Sequence, residues 1–128
     1  RAMATALHAH VAAGKPLLAE CGGMMACFAA LHDIDGQAHE MFGLLPGATR
    51  MQKKLAGLGM LEVDLPEGGL AGHTFHYSTA ETPLVPIAQA VKTVGQGGEA
   101  IHRRGRLTAS YMHFYFPSNP EAAARLFM

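Results

Sequence analysis

The sequence predicts an α/β fold, a sheet flanked by helices with part of its pairing antiparallel. Three observations point there. The chain opens on helix-favouring residues; a short apolar run then breaks sharply at Glu20-Cys21-Gly22-Gly23; beyond Leu61 the pattern is extended until a capped helix closes the chain. With 128 residues there is room for one core, and too little chain for two ordinary domains.

The elements follow in order. Ala2 to Ala13 favours helix, with Gly14 as its stop. Pro16 to Ala19 reads as a short buried strand. Met24, Cys27, Phe28 and Leu31 recur at helical spacing, which predicts a second helix over Met24 to His32, ended by a turn at Asp33-Ile34-Asp35-Gly36. Leu61 to Leu65 alternates with period two and is closed by Pro66-Glu67-Gly68-Gly69. Gly72 to Thr79, Ala90 to Val94 and Leu107 to Tyr111 are further extended segments, and Gly95 to Gly98 is a turn. Ser118-Asn119-Pro120-Glu121 has the cap, proline and acid of a helix start, so Glu121 to Met128 reads as the last helix.

Composition narrows the function. Ten basic residues balance ten acidic ones, which leaves no basic field for nucleic acid or an anionic membrane. The longest apolar run, Met24 to Leu31, is far below the roughly 20 residues of a membrane span. Cys21 and Cys27 fit neither a disulfide framework nor a common zinc spacing. No secretory pattern opens the chain, so a cytoplasmic setting is expected, and the missing initiator Met suggests a piece of a longer protein.

Leu17 to Met25 carries the chemistry. A nucleophile between a buried strand and a helix sits on a tight bend, so its neighbours across the bend must be small. Ala19 and Gly23 flank Cys21 at minus two and plus two, with Gly22 between, which is the nucleophile-elbow pattern with Cys in place of Ser. A thiol there meets the positive end of the helix dipoles, and the Gly22 N–H would face a developing oxyanion. A small buried Cys at a strand end is the competing reading of Cys21. It is the favoured reading of Cys27, which falls on an apolar helix face.

Such a thiol needs a base. Of the eight histidines, His8 and His10 cannot share a helix face, and His32, His39 and His102 stand beside polar or turn residues and are expected to be solvated. His73 and His76, three apart in an extended segment, should face opposite ways and hold no shared metal. His113 follows the strand Leu107 to Tyr111 and precedes Phe114-Tyr115-Phe116, where α/β sheets often keep catalytic groups.

Four motifs in one order then carry a resemblance: Ala19-Glu-Cys-Gly-Gly-Met-Met25, Gly43-Leu-Leu-Pro-Gly47, Gly72-His-Thr-Phe-His-Tyr-Ser78 and Ala109-Ser-Tyr-Met-His113. Over nearly the whole chain the sequence resembles the C-terminal class I glutamine amidotransferase domain of cobyrinic and hydrogenobyrinic acid a,c-diamide synthases. The resemblance implies a three-layer domain, with residues 1–128 forming its C-terminal part. It implies that Cys21 attacks glutamine, that His113 shuttles protons, and that His76, Tyr77 and Ser78 lie where glutamine is held through backbone groups. Gly43 to Gly47 reads as a structural loop. The resemblance also implies ATP and Mg²⁺ in an N-terminal synthetase domain that amidates a corrin ring; no phosphate-binding loop occurs in this segment. By itself the segment would be at most a glutaminase.

Three departures accompany it. Tyr115 stands where relatives often place a Glu that orients the histidine, and Met25 where they often place a Gln. The segment would also lack an early strand and a loop supplying a second oxyanion donor, whose loss lowers rates by about 10²–10³. An open sheet edge would then favour self-association, so a homo-oligomer is a further expectation. The alternatives are the amidotransferase domain of cobyric acid synthase and a noncatalytic docking module of the same fold.

Overall fold

A computed structural model describes all 128 residues. Helix α1 (Ala2–Ala12) leads to strand β1 (Leu17–Glu20), the short helix α2 (Gly22–Cys27) and strands β2 (Phe28–His32), β3 (Ala38–Glu40) and β4 (Leu45–Met51). Then come β5 (Gly57–Leu65), β6 (Gly68–His76), β7 (Ser78–Glu81), β8 (Ala88–Lys92), β9 (Gly98–Arg104), β10 (Leu107–Ser110) and β11 (His113–Tyr115). A 3₁₀ turn (Phe116–Ser118) and helix α3 (Pro120–Arg125) complete the chain.

The strands form a seven-stranded sheet of order β1-β10-β9-β8-β5-β6-β11 and a four-stranded sheet of order β3-β2-β4-β7. One face of the larger sheet packs Leu61, Val63, Ile101, Met112 and Phe114 against Ala122, Ala123 and Leu126 near α3. The opposite face packs Ala19, Leu107, Ala109 and Tyr111 against Met24 and Cys27 of α2 and Phe28 and Leu45 of the smaller sheet. The α/β class therefore holds, with three layers, but one outer layer is itself a sheet.

Sheet curvature positions the rest. Strands β10 and β11 lie near opposite ends of the pairing order, yet only Tyr111 and Met112 separate them. The β6–β11 end must therefore curl round to the β1–β10 end. Strand β1 runs parallel to β10, Leu17 opposite Leu107 and Glu20 opposite Ser110, and has no partner on its other edge.

The expected second helix is half right. It stops at Cys27, and Phe28–His32 is a strand, because parallel pairing with β4 matches Ala30 to Ala48 and His32 to Arg50. Tertiary pairing overrides a helical spacing shared by short buried strands. The Asp33 to Gly36 turn forms as expected, with Asp33 Oδ1 accepting from the N–H groups of Asp35 and Gln37. Asn119 caps α3, its Oδ1 accepting from the Ala122 N–H at 3.2 Å. Replacing Asn119 with Ala should lower unfolding stability by about 0.5–2 kcal/mol in urea titration, whereas Asn119→Asp should preserve most of it.

Candidate active site

Strand β1 delivers the chain to Cys21 with no freedom to spare. The Cys21 N–H donates to the Ser110 carbonyl at 2.8 Å, and its carbonyl accepts from Met25 N–H at 3.0 Å as α2 begins. Between these bonds Cys21 adopts φ 51° and ψ −111°, and it is the one non-glycine residue with positive φ. Such a conformation stores about 1–3 kcal/mol and persists only where its surroundings enforce it. A Cβ placed at Gly23 would stand 3.8 Å from that of Ala19, so the two small residues do face each other across the bend. Gly22, whose N–H is the first of α2, is exposed.

The thiol is half-buried, 3.9 Å from the Phe75 carbonyl on β6. Cys27 is buried in the core, and burial pushes its thiol up from the ordinary value, which fits its reading as a packing residue.

His113 opens β11 three residues beyond Ser110, paired in register with His73 of β6. The neighbouring Phe114 N–H donates to Glu20 Oε2 at 2.8 Å. The residue before the thiol is thus bonded to the residue after the histidine, which ties the two candidate catalytic segments together. Gly72 stands opposite Phe114, and a Cβ there would collide with the His113 carbonyl oxygen. Only glycine lets β6 approach this closely.

His76 and Ser78 are buried and Tyr77 is exposed. His76 Nδ1 donates to the Ser78 carbonyl at 2.8 Å, and Nε2 lies 2.6 Å from Glu99 Oε2, which also accepts from the Thr74 hydroxyl at 2.5 Å. The His76 ring stacks on Tyr111 at 3.6 Å, and Ser78 donates to the Tyr111 hydroxyl at 2.8 Å. The side chains of His76 and Ser78 are therefore occupied within the protein, and both His76 nitrogens are engaged. Glu99 has no periodic signal and was not singled out from sequence. Gly57 makes room for the pair, since a Cβ there would overlap the imidazole. Together with Met24 and His102, the side chains of His76, Ser78, Glu99 and Tyr111 line a cavity of about 390 Å³.

His102 is buried, contrary to its polar neighbourhood in sequence. It faces Phe28 edge-on, because the β9 register turns it towards the smaller sheet, and desolvation lowers its pKa. His73 and His76 do point to opposite faces, one exposed and one buried. Tyr115 is exposed, and the Met25 sulfur lies 3.4 Å from the Ser78 hydroxyl oxygen. Neither supplies the polar group that the resemblance leads one to expect there.

A cysteine with positive φ between a strand and a helix, preceded by a residue bonded to the strand that His113 opens, is the arrangement of the nucleophile-elbow class. The comparisons are narrower. The profile of the CobB/CobQ-like glutamine amidotransferase domain matches residues 1–121, and the chain belongs to that family. It is 58% identical over 127 residues to the hydrogenobyrinate a,c-diamide synthase of Pseudomonas aeruginosa, covering 98% of this chain and 29% of that protein. Against the same synthase of Stutzerimonas stutzeri the identity is 55%, over 97% and 29% of the two chains. A cobyrinate a,c-diamide synthase of Herminiimonas arsenicoxydans is 52% identical over 93% and 27%. The chain thus spans less than a third of these relatives.

Two outcomes follow. Iodoacetamide at pH 8 should alkylate Cys21 first, with Cys27 about ten-fold slower or more in peptide mapping, because a raised thiol pKa leaves less thiolate. The Tyr111 phenol is pushed up to about 12 by burial first; the Ser78 bond opposes this, and the charges of Glu99 and Cys21 add to it. An unfolded Tyr ionises near 10. The stability from the neutral buried phenol is therefore complete below about pH 10 and is lost between there and about pH 12. Over that interval wild-type unfolding free energy should fall more steeply than that of Tyr111→Phe.

Proposed function

We propose that the chain is the glutamine-hydrolysing part of a hydrogenobyrinate or cobyrinate a,c-diamide synthase, with Cys21 as nucleophile and His113 as proton carrier. The observation that carries this reading is the strained Cys21 bend, bonded through Glu20 to the strand that presents His113. In the first step Cys21 Sγ attacks the side-chain carboxamide carbon of glutamine. The thiol proton passes through His113 to the leaving nitrogen, so that ammonia departs and a glutamyl thioester remains. Water then attacks the thioester and gives a proton to His113. The C–S bond breaks, glutamate leaves, and the proton returns to the thiolate. The Gly22 N–H faces the developing oxyanion in both steps.

The Phe75 to Ser78 turn lies against the thiol, which supports it as the place where backbone groups hold the glutamine α-amino and carboxylate. His76 and Ser78 then act by shaping that turn from below, and Tyr77 lies on its exposed side. The ammonia would serve an ATP- and Mg²⁺-dependent domain that activates the a and c carboxylates of a corrin. No phosphate-binding loop occurs in this sequence, so ATP and Mg²⁺ are assigned in this reading to that second domain. No helix is long and apolar enough to cross a membrane; the cytoplasm is the setting this reading proposes for a biosynthetic enzyme.

A glutamine-mimicking diazoketone should label Cys21 alone, with excess glutamine slowing the labelling and Cys21→Ala abolishing it, as read by peptide mass mapping. Equal labelling of Cys21 and Cys27, indifferent to glutamine, would instead support a noncatalytic docking module, the reading that the exposed Tyr115 favours.

A further inference from the structure

The backbone of His113 is fixed by β6 and by Glu20, but those bonds leave its ring free to turn. A half-buried imidazole without a hydrogen-bonding partner rotates broadly about its second side-chain torsion. The residue two further along, Tyr115, is 61% exposed and offers no carboxylate. The partner of the ring is instead His73, directly across the β6–β11 ladder, with centroids 4.8 Å apart and planes within 10°.

We propose that His73 is the positioning residue of the His113 imidazole, an inference that rests on the reading of His113 as proton carrier. Parallel stacking confines the His113 ring to one plane, and so confines the direction in which its nitrogens meet the Cys21 bend and the leaving nitrogen. Proton transfer requires the donor and acceptor atoms within hydrogen-bond reach, so a freely turning ring spends much of its time unproductive. The flat face of the His73 ring also suits the charge that His113 gains between the two proton transfers. His73 is exposed and lies outside both cores, so packing of the fold does not account for its place. Its strand neighbours on the buried face, Thr74 and His76, are bound to Glu99 and leave the exposed face to the histidine pair.

The test compares His73→Ala, His73→Phe and His113→Ala in the intact protein, each checked for wild-type thermal unfolding. Glutamine hydrolysis should fall about ten-fold in kcat for His73→Ala with KM within about two-fold, and His73→Phe, which keeps a flat ring, should recover most of the loss. The His113 ring protons should move downfield in the proton NMR spectrum of His73→Ala as the neighbouring ring current disappears. A wild-type kcat in His73→Ala, with His113→Ala inactive, overturns the role of His73 alone. Wild-type turnover in His113→Ala overturns the assignment of the proton carrier and this inference with it.

Discussion

The parallel pairing of β1 with β10 is the constraint on which the site depends. It brings the Cys21 N–H to the Ser110 carbonyl at 2.8 Å and sends the chain into α2 within one residue. That single residue must absorb the change of direction, which is why Cys21 holds positive φ without being glycine. Pairing also orients Glu20 so that its carboxylate receives the Phe114 N–H. The strain at the thiol and the placement of the histidine are thus two consequences of one register. A strand that slipped by one residue would lose both.

Beneath the thiol lies a polar network that the fold must keep whole. Glu99 and His76 are nearly buried, at 11% and 7% side-chain exposure, and their bond is joined by Thr74, Ser78 and Tyr111. Removing one member leaves the buried polar atoms of the other without a partner, which typically costs about 1–3 kcal/mol. The network therefore holds the Phe75 to Ser78 turn rigid against the thiol. It offers a physical reason for polar residues on the buried face of a strand beside the candidate catalytic centre.

Much of this was legible in the sequence. The elbow was readable because a tight strand-to-helix bend demands small residues at fixed offsets, and Ala19, Gly22 and Gly23 satisfy it. His113 could be singled out because it follows the buried strand Leu107–Ser110 and precedes an aromatic run. The strand Phe28–His32 was not, since Phe28 and Leu31 serve a helical spacing and a short buried strand equally well. Glu99, Glu20 as a tether and the His73–His113 stack depend on cross-strand register, which no local pattern encodes. His102 misled for the same reason: its polar neighbours in sequence are not its neighbours in space.

The central claim is that Cys21 forms a covalent intermediate with glutamine. Rapid acid quenching of the intact protein during turnover, followed by mass spectrometry of its peptides, tests this directly. The account predicts a glutamyl increment on the Cys21 peptide that appears with glutamine, decays as substrate is exhausted and is absent from Cys21→Ala. Turnover with no increment on that peptide, or with the increment on Cys27, would contradict it.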